Sequence, residues 1–193
     1  KEFLERTIDT KKYDFRSTKR FIDISKRENY LFNSSINGIE ETDLIFLIGT
    51  NPRYEATILN ARIRKSYLNN NTKIYSLNEN GDLTYPYESF DGQTQTLVNI
   101  FDKNHDFSKN IINSKKPMII IGESFLRLNS AEFLYDKILN FLKQNKKFSD
   151  NWNPLNILSC DASSVGNFDL GLINKENNLI NDLKSNKFDI VFL

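Results

Sequence analysis

Leu44-Ile45-Phe46-Leu47-Ile48, closed by Gly49-Thr50-Asn51-Pro52-Arg53, is the stretch from which the rest of the chain can be read. Five consecutive apolar residues with no polar alternation suit a strand buried on both faces, as in a parallel sheet. Gly49 stops the run, and beyond the loop Ala56, Leu59, Ile63 and Tyr67 recur at helical spacing beside Arg62, Arg64 and Lys65. That helix is expected to end near Asn69-Asn70-Asn71, where short polar side chains compete for backbone hydrogen bonds. Lys73-Ile74-Tyr75-Ser76-Leu77 then reads as a second strand, which completes a strand–helix–strand unit.

The same grammar recurs further along. Pro117 leads into Met118-Ile119-Ile120-Ile121, Gly122 ends the run, and Leu134, Ile138, Phe141 and Leu142 mark the inner stripe of a helix over about 131–145. Between the two units, residues 78–91 carry Asn80-Gly81-Asp82 and Tyr85-Pro86-Tyr87, turn chemistry that predicts a surface loop. Helices are expected around Gln93 to Phe101 and Phe107 to Asn113, a strand at Leu155 to Leu158, a helix at Asn177 to Lys184 and a last strand at Phe188 to Leu193. Strands alternating with helices in this way predict an α/β fold with a doubly wound, mostly parallel sheet. Residues 1–30 lack Gly and Pro and read as an irregular N-terminal segment of loop and short helix; residues 31–193 form the α/β domain. Because the sequence stops on an apolar strand with nothing after it, the domain is expected to be incomplete at its C-terminal end, as a fragment or a split subunit.

Composition narrows the partners. The 26 Lys+Arg nearly cancel the 25 Asp+Glu, for a net charge of +1, so no global field draws the chain to nucleic acid or an anionic membrane. No run approaches the roughly 18–20 apolar residues of a bilayer span, and Lys1-Glu2-Phe3-Leu4-Glu5 offers no signal-peptide core. The single cysteine, Cys160, excludes an intrachain disulfide framework and an all-cysteine metal or iron–sulfur site made by this chain alone; the single histidine, His105, excludes a two-His metal site.

Gly49 and Gly122 both fall where a strand turns toward a helix, the crevice at which α/β sheets bind ligands through free helix N–H groups. Asn51 and Arg53 complete the candidate set. The structural reading stands beside it: a tight turn after a buried strand favours Gly for its own reasons, and neither G-T-N-P-R nor G-E-S-F matches a dinucleotide or P-loop fingerprint. Arg53, Arg62, Arg64 and Lys65 could grip phosphate or a partner's carboxylates, or simply form a solvated helix face in which at least one arginine pairs internally. Cys160, with no neighbouring His, reads as a buried structural thiol, and His105 as an exposed loop residue. No Ser/His/Asp grouping, paired-carboxylate motif or metal-ligand spacing declares an enzyme.

The block from Arg27 to Tyr67, R-E-N-Y-L-F-N-S-S-I-N-G-I-E-E-T-D-L-I-F-L-I-G-T-N-P-R-Y-E-A-T-I-L-N-A-R-I-R-K-S-Y, resembles one block of the large (75 kDa-type) subunit family of respiratory complex I, NADH:ubiquinone oxidoreductase, in its molybdopterin-oxidoreductase-like region. The family pattern N-Y-L-x-N, G-[IV]-E-x-[AT]-D, G-T-N-P-R-[FY]-E-A and N-A-R-[IL]-R-K has counterparts at Asn29 to Asn33, Gly38 to Asp43, Gly49 to Ala56 and Asn60 to Lys65. Asp82-Leu83-Thr84-Tyr85, Lys116-Pro117-Met118, Asn156-Ile157-Leu158 and Asp169-Leu170-Gly171 extend the likeness, which weakens in residues 1–26 and 145–154.

The resemblance implies a fold like that of molybdopterin-dependent formate dehydrogenases, and a non-catalytic structural role supporting NADH-to-ubiquinone electron transfer in a proton-translocating enzyme. It places the chain on the matrix side of the mitochondrial inner membrane, in the peripheral arm, or at the cytoplasmic face in a bacterium. It implies no cofactor in this chain, with iron–sulfur clusters and FMN elsewhere in the complex. The implied partners are other peripheral-arm subunits and the cluster-bearing N-terminal portion of the same subunit. Gly49, Asn51, Arg53 and Gly122 would then line a vestigial crevice kept for structure. Two other classes compete: a molybdopterin- or nucleotide-binding oxidoreductase domain using the Gly49/Gly122 crevice, and a free-standing interaction module.

Overall fold

A computed structural model describes every residue except 11, 16–19, 174–178, 186, 189–190 and 192–193. In chain order its elements are α1 (Glu2–Arg6), α2 (Ser35–Gly38), β1 (Leu44–Ile48), α3 (Pro52–Glu55), α4 (Thr57–Asn70), β2 (Lys73–Ser76), β3 (Glu88–Ser89), α5 (Thr94–Phe101), α6 (Phe107–Asn113), β4 (Pro117–Ile121), α7 (Glu123–Leu126), α8 (Ala131–Gln144), β5 (Leu155–Ile157), α9 (Ser164–Asp169) and α10 (Leu179–Lys184). They fall into two units, residues 20–160 and residues 1–19 with 161–193.

The 20–160 unit is built on one five-stranded sheet of order β3-β2-β1-β4-β5, parallel throughout. The two apolar runs, β1 and β4, are its adjacent central strands, buried at every position. Their side chains alternate between two cores. Leu44, Phe46, Ile48, Ile119 and Ile121 meet α5, α6 and α8 on one face. Ile45, Leu47, Met118 and Ile120 meet Leu59 and Ile63 of α4, with Trp152, on the other. Helices on both faces explain why these strands carry no polar alternation, and they make the domain a doubly wound α/β fold, as the periodicity predicts.

The helix foreseen after Gly49 is α4, stopped by Asn71 in the left-handed region at φ 53°, where its N–H bonds Tyr67 O at 3.1 Å. The helices expected near 93–101, 107–113 and 131–145 are α5, α6 and α8. Residues 78–91 depart from the surface-loop reading. Glu88–Ser89 adds a short parallel strand beside β2, and Leu83 and Tyr85 are buried beneath α4. Tyr85 OH donates to Asn60 Oδ1 at 2.7 Å, and Asn60 Nδ2 donates to Leu83 O at 3.0 Å, so Asn60, on the inner side of α4, is the anchor of this loop. Burial pushes the Tyr85 phenol up, which keeps it a donor.

The outer side of β5 is covered by the chain's own backbone. Ile157 N donates to Leu31 O at 2.9 Å, Phe32 bridges Asn156 in antiparallel fashion, and Asn33 Nδ2 reaches Leu155 O at 2.7 Å.

In the other unit, Phe15 N donates to Leu172 O and the Phe15 ring meets Phe168 edge-on at 5.0 Å, while Lys12 pairs with Asp182 on α10 at 3.1 Å. The helix read at Asn177 to Lys184 is α10 in its described part. Four of the six residues of the strand read at Phe188 to Leu193 lie outside the described residues.

Candidate functional site

Because Ile48 pairs with Ile121 across β1 and β4, the register sets Gly49 and Gly122 side by side at the carboxyl ends of neighbouring strands. This is also where the strand order reverses. From β1 the chain moves outward through β2 and β3, then returns to the other side of β1 as β4. Open α/β sheets bind ligands at such a switch point, so the structure brings the two glycines together where a site would be expected.

The turn and the start of α7 are interlocked there. Gly49 has φ +64°, and a Cβ on it would lie 2.5 Å from Phe125 N and 2.8 Å from Phe125 Cβ; a Cβ on Gly122 would overlap Thr50 Cβ and lie 2.5 Å from Gly49 O. Gly122 N donates to Ile48 O at 2.9 Å, and Ser124 N, in the first turn of α7, donates to Gly49 O at 3.2 Å. The polar groups of Gly49 to Arg53 are likewise engaged. Thr50 Oγ1 donates to Glu55 Oε2 at 2.6 Å, and Thr50 O accepts from Asn80 Nδ2 at 3.2 Å. Asn51 Oδ1 caps α3 by accepting from Arg53 N at 3.2 Å, and its Nδ2 donates to Asn80 O at 3.0 Å. Arg53 pairs with Asp82 at 2.6 Å; the Thr84 backbone N–H and then Arg53 hold the Asp82 carboxyl below its usual range.

Behind α7 lies an ion pair that no local pattern marks. Arg20 and Glu123 are both nearly inaccessible, 5% and 6% exposed, and meet at 2.9 Å; Arg127 adds a second bond to Glu123 at 3.3 Å. The charges are tolerable in a dry place because each answers the other. Arg20 sits in the stretch read as irregular, where no periodicity marked it.

The four basic residues noted in the sequence do not converge. Arg53 faces Asp82, Arg62 and Lys65 share Glu40, and Arg64 is exposed with no ion pair among the described residues. Hydrogen bonds from Lys65 and then Arg62 hold Glu40 below its ordinary value. Cys160 is exposed, against its reading as a buried thiol; it lies past the end of β5, where the chain has left the sheet. His105 is half-buried rather than exposed: its Nδ1 accepts from Phe107 N at 3.1 Å at the start of α6, and its ring stands edge-on to Phe90 at 5.4 Å. Among the described residues no three His, Cys, Asp or Glu side chains group to hold a metal, and no helix is long and apolar enough to cross a membrane.

The parallel sheet with helices on both faces defines a doubly wound α/β domain, and residues 1–193 match the molybdopterin oxidoreductase family over their whole length: the chain belongs to that family. Its curated relatives are more particular. It is 42% identical over 146 residues to the NADH-ubiquinone oxidoreductase 75 kDa subunit of Reclinomonas americana, covering 76% of this chain and 21% of that protein. It is 38% identical over 150 residues to the mitochondrial 78 kDa subunit of the same enzyme from Neurospora crassa, covering 77% and 20%. It is 34% identical over 158 residues to the mitochondrial NADH dehydrogenase (ubiquinone) iron-sulfur protein 1 of Solanum tuberosum, covering 82% and 21%. The chain thus spans about a fifth of the length of these relatives.

A pterin dinucleotide, the group the family name implies, would need free donors and open space at the switch point. The residues here do not fit it. The turn and α7 bond each other, Asn51 is engaged through both ends of its amide, and the charge of Arg53 is matched by Asp82.

Proposed function

We propose that this chain is a non-catalytic structural region of the large subunit of respiratory complex I, supporting NADH-to-ubiquinone electron transfer without carrying electrons itself. It would hold the cluster-bearing portion of its own subunit and neighbouring peripheral-arm subunits in place, at the matrix side of the mitochondrial inner membrane. Iron–sulfur clusters and FMN would reside elsewhere in the complex. The observation that carries this reading is the likeness to the 75 and 78 kDa subunits, joined to a switch point where Gly49, Asn51, Arg53 and Gly122 are all engaged by the chain's own groups. Such engagement suits a crevice kept for packing and not for a ligand.

The test is gentle purification of the tagged chain from native membranes, with metal content, NADH:quinone activity and co-purifying polypeptides measured together. An iron-rich, NADH-oxidising assembly of many subunits is expected. Recovery of the chain in a small particle with stoichiometric molybdenum would establish instead an oxidoreductase domain that uses the Gly49/Gly122 crevice. Recovery of the chain alone, free of metal, would favour an independent interaction module.

A further inference from the structure

Helix α4 is apolar on two faces. Leu59 and Ile63 point into the core beneath it, while Ile58 is 72% and Leu68 63% exposed on the opposite side. Ile58, Ala61, Lys65 and Leu68 follow one another at steps of three, four and three, the spacing of a helix-packing seam. Tyr54, 80% exposed, extends the stripe toward α3. With Phe32, Ile36, Ala56, Ile58 and Leu158 it lines a groove of about 500 Å³. Lys65 interrupts the seam, so the apolar surface is densest at the groove, where Ile36, Tyr54 and Ile58 stand exposed together.

Helix α4 itself carries charge of one sign. Residues 57–70 contain Arg62, Arg64 and Lys65 and no Asp or Glu. Among the described residues their only ion-pair partner is Glu40, which Arg62 and Lys65 share; with Glu55, which lines the groove, also counted, the face keeps a surplus of one positive charge. Apolar centre and cationic rim together describe one half of an interface.

We propose that the outer face of α4 and the adjoining groove dock an amphipathic helix of a separate subunit, one that carries carboxylates beside its own apolar stripe. The inference rests on the scaffolding role proposed above and says which surface performs it. Its partner is a separate polypeptide because a charged rim mainly speeds encounter and rejects wrong partners. A tethered segment of the same chain gains its high effective concentration from the linkage and has little use for that steering. Apolar residues of the partner fill the groove between Tyr54 and Ile36, and its carboxylates lie along Arg64 and Lys65.

The test uses the assembled protein in its native membranes, with the exposed Leu68 replaced by the photo-reactive amino acid benzoylphenylalanine. After irradiation and separation on a native gel, the adduct is sequenced, and NADH oxidation by the same band is recorded independently. The expected result is an adduct to a different polypeptide, at a helical segment whose apolar stripe is flanked by Asp or Glu. Adding Arg64→Glu is expected to cut its yield about tenfold, the effect of losing one well-placed charge contact. Four results would overturn the proposal: no adduct, an adduct to a basic or non-helical segment, an adduct to a second copy of this chain, or an adduct within the same polypeptide. The expected adduct in a band that does not oxidise NADH would keep the docking site and refute membership of complex I. NADH oxidation without the expected adduct would do the reverse.

Discussion

The switch point between β1 and β4 and the outer face of α4 are opposites. At the first, where folds of this kind usually leave donors free, the chain has turned its polar groups on itself and packed two glycines against neighbouring backbone. At the second, where a surface helix usually meets solvent, it leaves Tyr54, Ile58 and Leu68 uncovered. A site is marked by unmet demands as much as by its place in a fold. The crevice has its hydrogen bonds met; the helix face still lacks its apolar contacts.

Substitutions can break that contrast, and the largest effect is expected behind the crevice. Arg20→Ala would strand the Glu123 carboxylate in a dry environment where, among the described residues, only the exposed Arg127 pairs with it, and should cost about 3–5 kcal/mol in chemical denaturation. A loss under 1 kcal/mol would mean water reaches Glu123 and the switch point is looser than described. Gly122→Ala comes next. Its methyl would press on Thr50 and on the Gly49 carbonyl, for a loss of about 2–3 kcal/mol with the fold retained. A neutral result would show that the turn can step aside, which would reopen the crevice as a place for a ligand.

How much of this was legible can be judged from single residues. The apolar runs at Leu44–Ile48 and Pro117–Ile121 announced β1 and β4 because a strand buried on both faces leaves no room for polar alternation. Gly49 and Gly122 were found for the same reason, each ending a run. The two residues of β3 carry no such mark, since both are exposed; that strand exists because Phe90 beside it packs onto Phe46, Tyr75 and Phe107. Arg20 was hidden because a buried ion pair needs two partners 103 residues apart in sequence, and nothing local announces the meeting. Ile58 and Leu68 on the outer side of α4 are not set apart in sequence, because the inner stripe of Leu59 and Ile63 already accounts for an amphipathic helix.

A smaller effect is expected at Asp43. Burial pushes the Asp43 carboxyl up, but bonds from Ser114 Oγ, Lys115 N and Lys116 N outweigh it and hold the group below its ordinary value of 3.8. A lowered folded value contributes stability that is present above the unfolded value and lost as pH falls through the folded one. Asp43→Asn should therefore cost about 1 kcal/mol at neutral pH, kept small because the carboxylate is partly solvated. Denaturation midpoints of the two proteins should converge as pH drops below about 4; a gap that persists in acid would assign the role to shape and not to charge. The smallest effect on folding belongs to the uncovered helix face. Ile58→Asp should change stability by no more than about 0.5 kcal/mol, and a loss of 2 kcal/mol would show that the chain itself covers that side chain.

The backbone laid along β5 has a consequence of its own. An unpaired strand edge is a template for any extended chain that meets it, and it can nucleate aggregates. Leu31, Phe32 and Asn33 occupy that edge, and the opposite edge is only two residues long. A copy of the chain on its own is thus shielded at these two edges against runaway strand-to-strand growth. What such a copy offers to a chaperone is a patch of side chains rather than a row of open hydrogen bonds.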